Sequence, residues 1–143
     1  MDNTDHARMA LLSSDESFDC LQSVPVGRVV FIADGVQVFP VTFQVSAHRI
    51  VFRSSVGFKL DAAEMNRTVA FQADDWDPST RSGWSVLVRG QARTVSDPQR
   101  VAELDALGLD PWLNGEDMRW IEVVVADISG RRLPGRGISS AGS

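Results

Sequence analysis

Arg53 and Ser54 close an apolar run, Ile50-Val51-Phe52, and Gly57 and Lys59 follow within five residues of Ser54. That order sets two fixed cations, a hydroxyl and the opening amides of a following helix at the end of one strand. Such a set suits a phosphate. Arginine forks across two oxygens, lysine adds a mobile point charge, and first-turn N–H groups point at the anion. Solvated cations flanking a strand end would use the same letters. The strand pair leading into Arg53, from Val36 to Phe52, favours the phosphate reading.

Other constellations are thinner. His6 lies near the N-terminus and His48 in a turn, so a histidine metal site would need distant carboxylates. Cys20 is the only cysteine, which excludes an internal disulfide or a cysteine zinc site. Among the apolar neighbours of a short helix it reads as a small buried side chain. Asp74, Asp75 and Asp77 lack the spacing of a calcium loop and read as solvated acids. No Ser-His-Asp order, Walker loop or zinc-finger spacing occurs, so no metal is expected and no catalytic residue or proton donor can be named.

The 143 residues suffice for one ordinary core. We expect a single domain over 1–133 and a disordered Gly/Ser-rich tail over 134–143. The net charge of −5 argues against a nucleic-acid partner. No run approaches membrane-spanning length and MDNTDHARMA lacks the features of a signal peptide, which predicts a cytoplasmic protein with no membrane partner.

The elements that must hold these residues are mostly strands. Ser13-x-x-Glu16 spells a capping box for a helix through Phe18 and Leu21, ended by Pro25-Val26-Gly27. Arg28 to Ala33 is a strand, Asp34-Gly35 a two-residue hairpin, and Phe39, Val41, Phe43 and Val45 alternate on one face of the next. A polar turn, Ser46 to His48, leads to Ile50-Val51-Phe52. Phe58, Leu60, Ala63 and Met65 suit a short helix, and Thr68 to Ala73 a strand. Asp74 to Ser82 reads as a surface loop, in which Trp76 is a loop anchor or a cover over an active-site opening. Gly83 to Val95 is a long strand with Trp84, Val86 and Val88 on one face. Asp97-Pro98 starts a helix with Val101, Leu104 and Leu107 buried, and Gly108 stops it. Arg119 to Ile128 is the last strand. The pattern predicts a mainly β protein with short helices, a small antiparallel barrel whose closure removes sheet edges.

Three segments in this order, Phe39-Pro40-Val41-Thr42-Phe43, then Val51-Phe52-Arg53-Ser54 with Gly57 and Lys59, then Gly83 to Gly90, resemble the pyridoxamine 5'-phosphate oxidase-like split-barrel flavoproteins. The resemblance runs from the first helix to Arg132. It implies a split antiparallel β-barrel and a homodimer with FMN in a cleft between subunits. It also implies a flavin-dependent oxidoreductase acting on an unknown small molecule. Carried onto this chain, it implies the phosphate at Arg53, Ser54, Gly57 and Lys59, and the ring along Phe39, Pro40, Val41 and Thr42. Trp84 and Ser85 would complete the pocket, although Trp84 suits the core or a subunit interface equally well. Arg131 is a secondary candidate for the opposite subunit's cofactor. The vitamin B6 oxidases hold their substrate phosphate with an Arg and His arrangement near the C-terminus, whereas this chain has no histidine after His48. Two alternatives share the scaffold: a deazaflavin-dependent reductase, with Arg28, Arg53 and Lys59 around a longer phosphate tail, and a non-catalytic flavin- or haem-binding module.

Overall fold

The structure, a computed structural model, describes residues 9–54, 67–109 and 118–135. In chain order its elements are β1 (Ala10–Leu12), α1 (Ser14–Gln22), β2 (Val26–Ile32), β3 (Val36–Ser46) and β4 (Arg49–Ser54). They continue with β5 (Arg67–Asp77), β6 (Ser82–Thr94), α2 (Pro98–Asp105) and β7 (Arg119–Pro134). The sheet order is β1-β7-β4-β3-β2-β5-β6, neighbouring strands among the described residues run antiparallel, and β6 also pairs with β7. Six strands therefore close into a barrel, and β1 is an added strand on the far part of β7.

Alternation builds the interior. Val29 and Phe31 of β2, Phe43 of β3, Phe52 of β4, Phe71 of β5, Val86 and Val88 of β6 and Ile121 and Val123 of β7 share one core. α1 adds Phe18 and Leu21 to it. Ser13 caps α1 reciprocally with Glu16, as the capping-box letters require. Gly27 lets β2 pass beneath the Phe71 ring, where a Cβ would stand 2.3 Å from Phe71 Cζ. On the outside of the barrel, α2 lays Leu104 over Val51 and Trp120 to form a second, smaller cluster.

Several boundaries differ from the sequence reading. The Asp34-Gly35 connection has three residues, since Ile32 pairs with Val36 and Ala33 donates its N–H to the Gly35 carbonyl. Gln37 Nε2 bonds the Ala33 and Asp34 carbonyls and ties the longer turn down. The two-residue turn is instead Ala47-His48, both at positive φ, between Ser46 and Arg49. β5 continues through Trp76 to Asp77 because β6 pairs with it as far as Ser82, which leaves only residues 78–81 for the expected surface loop. β7 runs to Pro134 because β6 and β1 both bond its far part. Leu107 falls past the end of α2 and is exposed. The helix expected around Phe58, Leu60, Ala63 and Met65 and the tail from residue 136 lie outside the described residues.

Candidate functional site

The phosphate candidates sit where the barrel wall divides. The β3–β4 ladder covers Phe43 to Ser46 on one strand and Arg49 to Phe52 on the other. The ladder ends there: Thr42, Val41 and Pro40 go on to pair with Val26, Gly27 and Arg28 of β2, while Arg53 and Ser54 continue β4. On its other edge β4 pairs Arg53 with Trp120 and Ser54 with Arg119. The Arg53 guanidinium lies over the Trp120 ring, 5.6 Å from its centroid. Its Nε is buried and finds no hydrogen-bond partner among the described residues. An arginine over an indole with a buried donor unspent among the described residues is poised for an anion, because a buried donor left without an acceptor costs about 1–3 kcal/mol. Gly57 and Lys59 lie outside the described residues.

Trp120 is itself held in place. Its Nε1 donates to Asp105 Oδ1 at the end of α2, 2.8 Å away. Two residues further along β7, Glu122 is only 2% exposed. Arg49 and Arg93 donate to its Oε2 at 2.7 and 3.1 Å, and Arg100 of α2 donates to its Oε1 at 3.1 Å. Burial, the largest influence, raises the Glu122 pKa; hydrogen bonds from Arg100 and Arg93 and the charge of Arg49 outweigh it and hold the carboxyl below its ordinary value. This cluster was not legible from the sequence. The only signal was a glutamate inside an apolar strand run, Trp120-Ile121-Glu122-Val123.

A second locus lies on the outer face of β5, β6 and β7. A cavity of about 450 Å³ opens there, lined by Trp76, Ser85, Leu87, Arg131 and Leu133 together with Met9, Gln72, Arg89 and Ser129. Ser85 pairs directly with Arg131, and Gln72 pairs with Leu87. Gln72 Nε2 donates to Asp74 Oδ2 and Ser85 Oγ while its Oε1 accepts from Arg28, which fixes the amide. Arg28 is thus engaged by Gln72, with Asp74 3.7 Å away. Arg89 is paired with Asp127 at 2.9 Å.

The expected residues therefore fall into two groups. Arg53 and Ser54 stand just past the end of the β3–β4 ladder, on the strand next to the one that carries Val41 and Thr42, and Ser85 pairs with Arg131. Of the two readings of Trp84, ring border or core, the structure shows the core one: it is 6% exposed and packs in the barrel core, because alternation points it inward where Ser85 points outward. Trp76 is the exposed aromatic of the cavity rim, at 49%.

The remaining single residues are structural. His48 stacks on Phe18 with ring centroids 4.8 Å apart. Cys20 is buried and accepts a hydrogen bond from Arg132 at 3.3 Å, and burial raises its thiol pKa. Among the described residues no His, Cys, Asp and Glu cluster is arranged to hold a metal, and no helix is long and apolar enough to cross a membrane.

The family model described as pyridoxamine 5'-phosphate oxidase matches residues 13–132, from the α1 cap to the cavity end of β7. This chain belongs to that family. A solved structure of the FAD binding protein from Mycobacterium smegmatis is 41% identical, with a TM-score of 0.75 over 86% of this chain and 98% of that one. A putative pyridoxamine 5'-phosphate oxidase from Corynebacterium glutamicum is 34% identical, with a TM-score of 0.80 over 90% and 96% of the two chains. The uncharacterized protein Rv0080 of Mycobacterium tuberculosis is 40% identical over 109 residues, 72% of this chain and 71% of that protein. The family's split-barrel fold is the one described above, with flavin-binding proteins among its structural neighbours.

Proposed function

We propose that this protein binds a flavin nucleotide in a cleft between two copies of the chain and works as a flavin-dependent oxidoreductase on a small molecule. The observation that carries the reading is Arg53, over the Trp120 ring with a buried Nε that finds no acceptor among the described residues, next to Ser54 at the end of β4. The family match and the 41% identical relative named for FAD support it.

Arg53 and Ser54 hold the riboflavin phosphate, which FMN and FAD share, and Lys59 and Gly57 join them by their place in the sequence. FMN is the simpler ligand for such a seat. The backbone of Phe39, Pro40, Val41 and Thr42 runs along the ring and orients it. A bound flavin supplies the hydride chemistry itself, so the chain needs no catalytic dyad.

A homodimer completes the cleft. Trp120, the strand partner of Arg53, and Arg131 stand eleven residues apart on β7, roughly 35 Å of strand contour. One chain therefore does not bring Arg131 to its own phosphate seat along that strand, and Arg131 serves the cofactor of the second copy. The outer face of β2 and β3 adds an apolar ladder, Ile32, Val36 and Val38, at 74%, 68% and 54% exposure, suited to burial against another chain.

Absorption spectrum, mass of the co-purifying molecule and light scattering test the reading. We expect an oxidised-flavin spectrum on a dimer, and Arg53→Ala lowering flavin affinity by about 1.5–3 kcal/mol with the fold intact. A colourless protein that takes up only a deazaflavin, or an Arg53→Ala variant with unchanged affinity, refutes it.

A further inference from the structure

Arg53 is propped from behind by α2, through Trp120. The Arg53 guanidinium carbon lies 5.6 Å from the Trp120 ring centroid, close to the limit of roughly 6 Å at which an aromatic face still attracts a cation. A small swing of the indole is therefore enough to release the arginine. The Trp120 side chain is 5% exposed, so its N–H needs an acceptor within the protein. Asp105 Oδ1 is that acceptor, at 2.8 Å.

Helix chemistry does not call for an acid at this position. Asp105 is the last residue of α2, where the free carbonyls of the final turn disfavour a carboxylate, and that turn holds no basic residue to offset it. Its contact lies across on β7 instead. α2 is tied to that strand at both ends: Arg100 of the first turn donates to Glu122 Oε1 at 3.1 Å, and Asp105 accepts from Trp120. From Arg100 to Asp105 the helix rises roughly 7.5 Å, and from Glu122 to Trp120 the strand runs roughly 7 Å. The two ties therefore match a helix lying antiparallel along β7, with Leu104 buried against Val51 and Trp120.

We propose that Asp105 is a positioning residue for the phosphate seat: it fixes the Trp120 indole at the angle over which Arg53 lies, and so holds the Arg53 Nε in place for the anion. The proposal rests on the flavin reading above. Asp105 acts through Trp120 and Arg53, and its own charge gives a sign that separates this role from a direct electrostatic one. A carboxylate repels a nearby phosphate, so deleting its charge alone would tighten binding. Deleting the indole anchor loosens it. Riboflavin, which has the flavin ring and no phosphate, isolates the effect on the seat from any general loosening of the barrel.

The test titrates FMN and riboflavin separately into the purified, flavin-free protein and follows quenching of flavin fluorescence. Asp105→Ala, Asp105→Asn, Arg53→Ala and the Arg53→Ala, Asp105→Ala double variant are compared, with each fold checked by circular dichroism. Asp105→Ala should weaken FMN by about two- to tenfold, the span of one lost hydrogen bond, and leave riboflavin unchanged. Asp105→Asn keeps an acceptor oxygen and should retain most of the FMN affinity. On the Arg53→Ala background Asp105→Ala should weaken FMN no further, because it acts through that arginine. Trp120→Phe removes the same hydrogen bond from the other side and stands in if Asp105→Ala does not fold; it should show the same split between FMN and riboflavin. FMN affinity unchanged or tightened, an equal loss for riboflavin, or a full additional loss in the double variant overturns the proposal. FMN bound through Arg53 but indifferent to Asp105 overturns only the role of Asp105, whereas a wild type that takes neither FMN nor riboflavin overturns the flavin reading and the proposal with it.

Discussion

Replacing Glu122 by alanine tests how the phosphate side of the barrel is held together. Glu122 is 2% exposed and accepts from three arginines, so its removal leaves three guanidinium groups facing one another across a small cavity. Breaking a buried pair by deleting one partner costs about 3–5 kcal/mol. Arg49 and Arg93 keep 38% and 43% of their side chains exposed and recover water, while Arg100 at 22% recovers less. The low end, about 3 kcal/mol, is therefore expected. In urea, with a slope near 1.5 kcal/mol/M, the unfolding midpoint should fall by about 2 M.

The loss should also depend on pH. Glu122 has a folded pKa held below its unfolded value of about 4.3. Its stabilisation is then complete above that pH and disappears as pH falls through the lower folded value. Urea midpoints of wild type and Glu122→Ala should differ most at pH 7 and converge in acid. A cost under about 1 kcal/mol, or a gap that does not narrow in acid, would refute the assignment of Glu122 as a net stabilising anchor. Because Arg100 ties α2 to β7 and Asp105 of α2 fixes Trp120 beneath Arg53, flavin affinity should fall in the same variant.

Two further outcomes follow from single contacts. Gly90 sits at the register shift of β6, where a Cβ would stand 2.1 Å from the Val124 carbonyl oxygen; Gly90→Ala should cost about 1–3 kcal/mol in thermal or urea unfolding. Trp120→Phe removes the hydrogen bond to Asp105 and the wider ring under Arg53, and should weaken flavin binding by about 0.5–1 kcal/mol in a fluorescence titration.

Local chemistry was readable from the letters. The Ser13 and Glu16 capping box, the Asp97-Pro98 helix start and the alternation of Phe39, Val41 and Phe43 depend on neighbours within a few residues, and each element formed where those neighbours called for it. Arg53 and Ser54 at the end of β4 were legible for the same reason, and with the flanking strands they sufficed to suggest the family. What needed the tertiary structure was every relation across the sheet. Strand ends at Asp77 and Pro134 were set by the length of the partner strand, which composition does not encode. Trp84 was turned into the core by the phase of alternation, with Ser85 turned outward beside Arg131, forty-six residues away in sequence. The same closure collected Arg49, Arg93 and Arg100 around Glu122 from three separate elements. Sequence determined which residues could bind an anion and which local shapes they take, because those rest on side-chain chemistry and short-range bonding. Only the closed barrel decided that Arg53 lies over Trp120 with a donor unspent among the described residues, and that Trp76, Ser85 and Arg131 share a cavity, because antiparallel register alone makes neighbours of residues so distant along the chain.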